Sequence, residues 1–171
     1  IDKARQLGCS GESIHLLTDS EDIALMGKRN NVGGFCRPFL TLASASVNDE
    51  FRHYLEVEEQ DRNISILLSP YAPLLHIDTI QQAAKVFLQS TDQALKPVRL
   101  EKRRLFDSTD ATLESNLLTN RDAAYRIESR AFMLLRPGPL LQVNDKSVSV
   151  QPWDAGDDTF EIETLQDWWV S

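Results

Sequence analysis

The chain has 171 residues, 42% of them hydrophobic and 26% charged, as in an ordinary globular protein. This length suits one domain, and no apolar run approaches the roughly 20 residues needed to cross a bilayer. The net charge of −8 argues against general affinity for nucleic acids or anionic membranes, because both repel an acidic surface.

Cellular location is predicted from the cysteines and from the first residues. Cys9 and Cys36 are too few for a disulfide framework in a chain of this length, so we expect two free thiols. No basic start followed by an apolar stretch and a small-residue cleavage site is present, so no signal peptide is predicted. We therefore predict a cytoplasmic protein.

The first third of the chain predicts short strands separated by turns. A short helical lead-in precedes a strand at 14–17, and residues 23–26 form a second strand or a short helical turn. The Asn- and Gly-rich stretch 30–34 is typical of a loop, since both residue types tolerate positive φ. A third strand is expected at 39–43, and the segments 51–57 and 64–68 are expected to form a hairpin.

The most regular helix of the chain follows the Ser69-Pro70 turn. Asp78 or Thr79 is a candidate N-cap, because a short side-chain oxygen can accept from backbone N–H groups that lack an intrahelical partner. The residues that fall near a 3.6-residue period are Ile80, Ala83, Ala84, Phe87, Ala94 and Leu95. The pattern predicts a joint core of Ile66, Leu68, Ala84 and Phe87, where the preceding strand packs on this helix.

The second half of the chain is predicted to contain two more helices and then more strands. Residues 98–106 form a strand or an extended linker, and residues 108–118 a short helix. A capping box at Thr119 and Asp122 opens a third helix. Its apolar side is Ala124, Ile127, Ala131, Leu134 and Leu135. A hairpin at 140–150 and a strand at 160–164 complete the prediction.

This order of elements predicts an α+β fold, with a largely antiparallel β-sheet and two or three helices inserted mid-chain. We expect a single domain over 1–171, with a possible C-terminal β subdomain at 140–171. A tail of that size is too small to fold alone.

Catalytic signatures are weak. Cys9 lies between glycines and could be a nucleophile if His15, His53 or His76 lay beside it, but a small thiol in a tight turn is the simpler interpretation. The loop 30–34 after Lys28 and Arg29 resembles a phosphate-binding loop without the Walker spacing, and a plain connecting loop is favoured.

The spacing of the cysteines, histidines and carboxylates does not predict a metal site or an acid–base pair. None of the cysteines and histidines stand at C-x-x-C or H-x-x-x-H spacing, so we expect no metal and no cofactor. Carboxylate pairs such as Glu12 with Asp19, or Asp157 with Asp158, cannot be assigned acid–base roles from spacing alone.

Charge and tryptophan are unevenly distributed toward the end of the chain. After Lys146 there is no lysine or arginine, and all three tryptophans lie in this acidic tail. Tryptophan is enriched at interfaces because it buries a large area with few rotors, although the rings could equally cover the core. The residues predicted to bind a partner are Trp153, Trp168, Trp169, Lys96, Arg99, Lys102, Arg103 and Arg104.

The sequence therefore predicts a non-catalytic protein–protein interaction or assembly module, a subunit or adaptor of a larger complex. Its partner would be another protein or a second copy; no membrane is expected, and nucleic acid is disfavoured as a partner. One alternative is a small hydrolase or transferase that uses the Gly-rich N-terminal loops. The second is a nucleic-acid-associated protein acting through the basic segment 96–104.

Overall fold

The computed structural model describes residues 1–36, 64–101, 125–136 and 149–162. Its contacts divide the chain into two compact units. The first unit comprises Ile1–Ser65 with Arg136–Ser149, and the second comprises Ile66–Leu135 with Val150–Ser171. The prediction of a single domain with a possible C-terminal subdomain stays a prediction.

The first unit contains a strand–helix–strand motif with parallel strands. Helix α1 (Asp2–Gln6) and a 3₁₀ turn (Gly11–Ser13) precede β1 (His15–Thr18), α2 (Glu21–Arg29) and β2 (Gly33–Cys36). The register of β1 with β2 runs from His15↔Gly33 to Thr18↔Cys36. Ser20 caps α2 by accepting from the Ile23 N–H at 3.4 Å, so the helical alternative for 23–26 is the correct one.

Close backbone approach explains one glycine of this unit. A Cβ atom on Gly11 would lie 2.2 Å from the carbonyl oxygen of Asn31. No real Cβ atom tolerates that distance, so only glycine fits there without a backbone shift. The glycine therefore serves the packing of the 3₁₀ turn against the loop before β2.

The second unit is built on a five-stranded sheet with one helix. Its strands are β3 (Ser65–Leu68), β4 (Ala94–Glu101), β5 (Tyr125–Glu128), β6 (Phe132–Leu135) and β7 (Val150–Asp154). Helix α3 (Ile77–Gln89) connects β3 to β4, and a 3₁₀ turn (Asp157–Thr159) follows β7. The strand path is β3-β6-β4-β5, and β7 pairs with β4. β5 and β6 run antiparallel to β4, whereas β7 runs parallel to it.

The core of the second unit lies between α3 and the middle of the sheet. Ile80, Ala83 and Phe87 on α3 are fully buried, and α3 contacts both β4 and β6. All four residues of β6 are buried because this strand has a neighbour on each side. Phe87 is thus a core residue as predicted, whereas Ile66, Leu68 and Ala84 are half-buried.

The α+β prediction with a mostly antiparallel sheet is confirmed, with three α-helices in the described part of the chain. The helix expected over Ala124 to Leu135 is wrong, since Ala131–Leu135 is an apolar run buried on both faces of β6. Ala94 and Leu95 begin β4 instead of extending α3.

Smaller predictions of element bounds also need correction. α3 begins at Ile77 with His76 at the N-cap position, so Asp78 and Thr79 lie in its first turn. Phe160–Ile162 follows the 3₁₀ turn as irregular backbone, not as a strand. The elements expected at 39–43, 51–57 and 108–118 lie outside the described residues, as does most of the 140–150 hairpin. In the described part of the chain, no helix combines the length and the apolar character needed to span a membrane.

Candidate functional site

An irregular joint connects β5 to β6 where both strands pair with β4. Val98 of β4 pairs with Glu128 at the end of β5, and Leu95 of β4 pairs with Leu134 in β6. The two pairs are three residues apart on β4 but six residues apart on the chain that runs from β5 into β6, which therefore contains three extra residues. The extra residues are Ser129, Arg130 and Ala131, which we call the bulge. The Ser129 N–H donates to the Pro97 carbonyl at 2.9 Å, and the Ala131 carbonyl accepts from the Ser69 N–H at 3.0 Å. The bulge thus touches both β4 and the turn after β3.

The residues that follow β7 form an acidic segment, which we define as 157–162. Gly156, with φ of +66°, turns the chain from β7 into this segment. Thr79 in the first turn of α3 donates its hydroxyl to Asp158 Oδ2. The Ser129 hydroxyl donates to the Thr159 carbonyl at 2.8 Å. Long-range hydrogen bonds therefore fix the beginning of the segment to both α3 and the bulge.

Two further bonds fix the end of the acidic segment. The Arg130 N–H donates to Glu161 Oε2 at 3.0 Å, and the Ile162 N–H donates to the Tyr71 carbonyl at 2.8 Å. The Tyr71 N–H is itself bonded to the Ser69 hydroxyl at 3.2 Å. The segment, a 3₁₀ turn followed by irregular backbone, is attached at four points, so the Asp158 and Glu161 carboxylates have defined positions.

This arrangement places polar residues where α/β proteins bind ligands. β4 and β7 are parallel, so their carboxyl ends point toward one edge of the sheet, with Asp154 at the end of β7 opposite Val98 of β4. The acidic segment begins three residues after β7 ends. The Thr79–Asp158 bond brings the first turn of α3 to the same edge. The crevice outside the carboxyl ends of parallel strands is the general ligand position in open α/β sheets.

Two arginines accompany these carboxylates. The guanidinium carbon of Arg99 lies 5.6 Å from the centre of the Phe160 ring, a distance at which a cation is attracted to the ring face. Arg99 is half-buried and Arg130 is exposed. Guanidinium groups donate in a fork that matches phosphate oxygens, so the edge carries groups suited to a phosphorylated ligand.

The carboxylates also suit a divalent cation. The hydrogen bonds above engage Asp158 Oδ2 and Glu161 Oε2, while the second oxygen of each carboxylate makes no hydrogen bond to the described residues. No group of three or more metal-ligand residues occurs in the described ranges. Mg²⁺ needs only one or two carboxylates when phosphates and waters complete its octahedron. Asp158 and Glu161 are therefore donors of the type that Mg²⁺ takes when a phosphate chain and waters supply its other ligands.

The residues predicted to bind a partner lie in several environments. Lys96 forms an ion pair of 2.7 Å with Glu128, and Trp153 packs edge-on against Phe132 with ring centres 6.4 Å apart. Arg99 lies at the edge described above. The remaining residues of that set, Lys102, Arg103, Arg104, Trp168 and Trp169, lie outside the described residues. A role for the set in partner binding stays a prediction.

The N-terminal candidate residues that the structure describes lie in the first unit, and their roles stay predictions. Cys9 is a free thiol. The His15 ring packs on Gly33, where an added Cβ would lie 2.6 Å from Nδ1, and its Nε2 is hydrogen-bonded to the Glu12 carbonyl at 3.1 Å. Asn30 and Asn31 turn the chain between α2 and β2, whereas Gly33 and Gly34 of the predicted loop begin β2. The choice between a phosphate-binding loop and a plain connecting loop stays a prediction. His53 lies outside the described residues.

Comparison with known proteins relates this fold to nucleotidyltransferases. No family model and no curated protein sequence matches the chain. A solved CMP:2-keto-3-deoxy-manno-octonic acid synthetase in complex with CTP is similar, with a TM-score of 0.69, 9% identity, and coverage of 99% of this chain and 82% of that one. A 4-diphosphocytidyl-2C-methyl-D-erythritol synthase from Anaerococcus prevotii DSM 20548 is also similar, with a TM-score of 0.64, 10% identity and coverage of 97% and 82%.

The prediction of a non-catalytic interaction module or complex subunit is therefore wrong, because proteins of this fold include catalytic nucleotidyltransferases. The transferase alternative agrees better with the comparison. The module prediction depended on the lack of a local catalytic motif. In the second unit, the polar residues converge from distant parts of the chain, so no short motif contains them.

Sequence reasoning missed the acidic segment as a site. The sequence shows Asp157 and Asp158 only as a carboxylate pair without an assigned role, and it predicts Glu161 as part of a strand at 160–164. The signal that identifies them is the parallel pairing of β4 with β7, which joins residues more than 50 positions apart. That pairing has no local sequence signature, because parallel strands need long crossover connections.

Proposed function

We propose that this protein is a nucleotidyltransferase that transfers CMP from CTP to a small hydroxyl- or phosphate-bearing acceptor. The observation that carries the proposal is the similarity of fold to two synthetases across nearly the whole chain. The names of both enzymes contain a cytidine nucleotide, which favours CTP over other nucleoside triphosphates. A cytoplasmic location, where CTP is made, is part of the same proposal.

The reaction requires one bond to form and one to break. An acceptor oxygen bonds to the α-phosphorus of CTP, the bond from that phosphorus to the bridging oxygen breaks, and pyrophosphate leaves with the electron pair. The acceptor proton, where there is one, passes to solvent or to a basic side chain. Catalysis of such a transfer consists mainly of positioning and charge stabilisation.

The edge of the second unit supplies groups for both tasks. Asp158 and Glu161 would hold the Mg²⁺ that accompanies a triphosphate, and that ion would neutralise charge on the phosphate oxygens. Arg99 would bind an anionic group of the nucleotide or the acceptor, with its guanidinium oriented by the Phe160 ring. The turn after β3, bonded to the acidic segment through Tyr71, would form one wall of the site.

The test is release of pyrophosphate from CTP, UTP, ATP and GTP with Mg²⁺, using a panel of acceptors that includes 2-keto-3-deoxy-manno-octonic acid and 2C-methyl-D-erythritol 4-phosphate. Calorimetry with CTP and Mg²⁺ tests nucleotide binding without an acceptor. We expect CTP to bind more tightly than the other three nucleotides, and E161Q to weaken binding.

E12Q is the matched control, since Glu12 is an exposed carboxylate in the first unit. It should bind CTP as the unmodified protein does. If none of the four nucleotides binds at millimolar concentration, the proposed function is wrong.

A further inference from the structure

Ser129 is a buried serine whose N–H and hydroxyl are both hydrogen-bonded. Its exposed fraction is 3%, and it lies in the bulge between β5 and β6. Its N–H donates to Pro97 at 2.9 Å, its hydroxyl donates to the Thr159 carbonyl at 2.8 Å, and the same hydroxyl accepts from the Ala131 N–H at 3.1 Å. A buried hydroxyl that both donates and accepts holds its two partners in a fixed relative position.

The bonds of the bulge and those of the acidic segment form two adjacent links. Ser129 bonds to Thr159, and the next residue of the bulge, Arg130, bonds through its N–H to the Glu161 carboxylate at 3.0 Å. Thr159 is fully buried, and its own hydroxyl donates to the Gly156 carbonyl at 3.2 Å. The Ser129 side chain therefore anchors the backbone at Thr159, two residues before Glu161.

We propose that Ser129 is a positioning residue of the site, whose hydroxyl fixes where the Glu161 carboxylate stands at the carboxyl ends of β4 and β7. Ser129 does not contact the reacting groups in this proposal; it acts through Thr159 and Glu161. The part of the proposal that concerns catalysis depends on the proposed nucleotidyl transfer. Groups that orient a metal-binding or phosphate-binding carboxylate commonly change affinity or activity about 10- to 100-fold when they are removed.

A matched control exists on the same unit. Ser90, just after α3, donates its hydroxyl to the Phe87 carbonyl at 3.1 Å and accepts from the Asp92 N–H at 3.3 Å. It therefore makes the same pair of bonds as Ser129, one to a carbonyl and one to the N–H two residues on. It lies at the opposite end of α3 from Thr79, so S90A removes an equivalent hydroxyl away from the acidic segment.

The first measurement is amide hydrogen exchange of the protein without nucleotide. In S129A, the N–H groups of Arg130 and Ile162 should exchange at least about tenfold faster. The Arg130 N–H donates to Glu161 of the acidic segment, and the Ile162 N–H donates from the segment to the Tyr71 carbonyl, so both bonds should weaken when the anchor is lost. In S90A these two rates should not change. If S129A does not fold, S129C replaces it; its thiol is a weaker donor at the same place, so a smaller acceleration is expected.

The second measurement is kinetic and uses a double-mutant cycle. S129A should raise the Mg²⁺ concentration that gives half-maximal nucleotide binding or transfer about tenfold, and S129T, which keeps the hydroxyl, should restore it in part. Since Ser129 acts through Glu161, S129A should have little further effect in the E161Q background. If Ser129 only stabilised the fold, the fold-changes caused by S129A and by E161Q would instead multiply in the double variant.

Each outcome decides between these interpretations. Unchanged exchange at Arg130 and Ile162 in S129A, or equal acceleration throughout the unit, overturns the positioning role. Multiplying effects of S129A and E161Q overturn the action through Glu161. If the unmodified protein binds no nucleotide, the proposed function fails, while the exchange rates still decide whether Ser129 positions the acidic segment.

Discussion

The Thr79–Asp158 hydrogen bond joins two residues 79 positions apart and fixes the acidic segment to α3, so its removal should weaken the second unit measurably. Thr79→Val deletes the donor while keeping nearly the same shape. A hydrogen bond to a charged group contributes about 1.5–3 kcal/mol. Because both residues are half-buried and water can replace the hydroxyl, we expect a value near or just below the lower end of that range, about 1–2 kcal/mol.

The assay is equilibrium unfolding in urea, followed by tryptophan fluorescence and circular dichroism. A loss of about 1–2 kcal/mol corresponds to a fall of roughly 0.5–1 M in the urea midpoint for a chain of this size. T79S keeps the hydroxyl and should lose much less. T91V is the matched control, since Thr91 is exposed just after α3.

A double-mutant cycle isolates the bond itself. The free energies of unfolding of T79V, D158N and the double variant give a coupling energy, which we expect to be about 1 kcal/mol. If the coupling is below about 0.5 kcal/mol, the two side chains do not stabilise each other. The attachment of the acidic segment to α3 would then be refuted.

Three further predictions concern packing and charge. Phe87→Ala should lower the free energy of unfolding by about 3–5 kcal/mol, because Phe87 is fully buried, while the more conservative Phe87→Leu should cost clearly less. Gly11→Ala should cost about 1–3 kcal/mol, since its Cβ would collide with the Asn31 carbonyl; an unchanged urea midpoint would contradict that close approach. Lys96→Met should cost less than about 1 kcal/mol, because its partner Glu128 is largely exposed, and a larger loss would show that the ion pair is stronger than surface pairs usually are.

The elements that could be predicted from the sequence are those with a complete local signal. α3 has a proline-marked start and a buried stripe at Ile80, Ala83 and Phe87, so its period identifies it. β1 is likewise a short apolar run bounded by turn residues. Residues close in sequence determine the structure of such elements.

The elements that were assigned wrongly are those whose surroundings decide their structure. Ala131 to Leu135 is apolar at every position, so its sequence fits a buried helix as well as a strand. It is a strand because β6 has β3 on one side and β4 on the other. Ala94 and Leu95 continue the period of α3, yet Ser90 has extended backbone angles and its hydroxyl bonds back to Phe87, which ends the helix.

The candidate site could not be predicted for a related reason: its connections are hydrogen bonds between distant backbone segments. Each bond that Ser129, Arg130 or Tyr71 makes to the acidic segment has a backbone carbonyl or N–H group on at least one side, which every residue carries and no motif records. The similar synthetases share only 9% and 10% of their residues with this chain. The backbone side of such a bond depends on which segments meet, whereas its side-chain side, such as the Ser129 hydroxyl, depends on residue type. A site of this sort is therefore found by asking which segments meet at the carboxyl ends of parallel strands, and only then which side chains they carry.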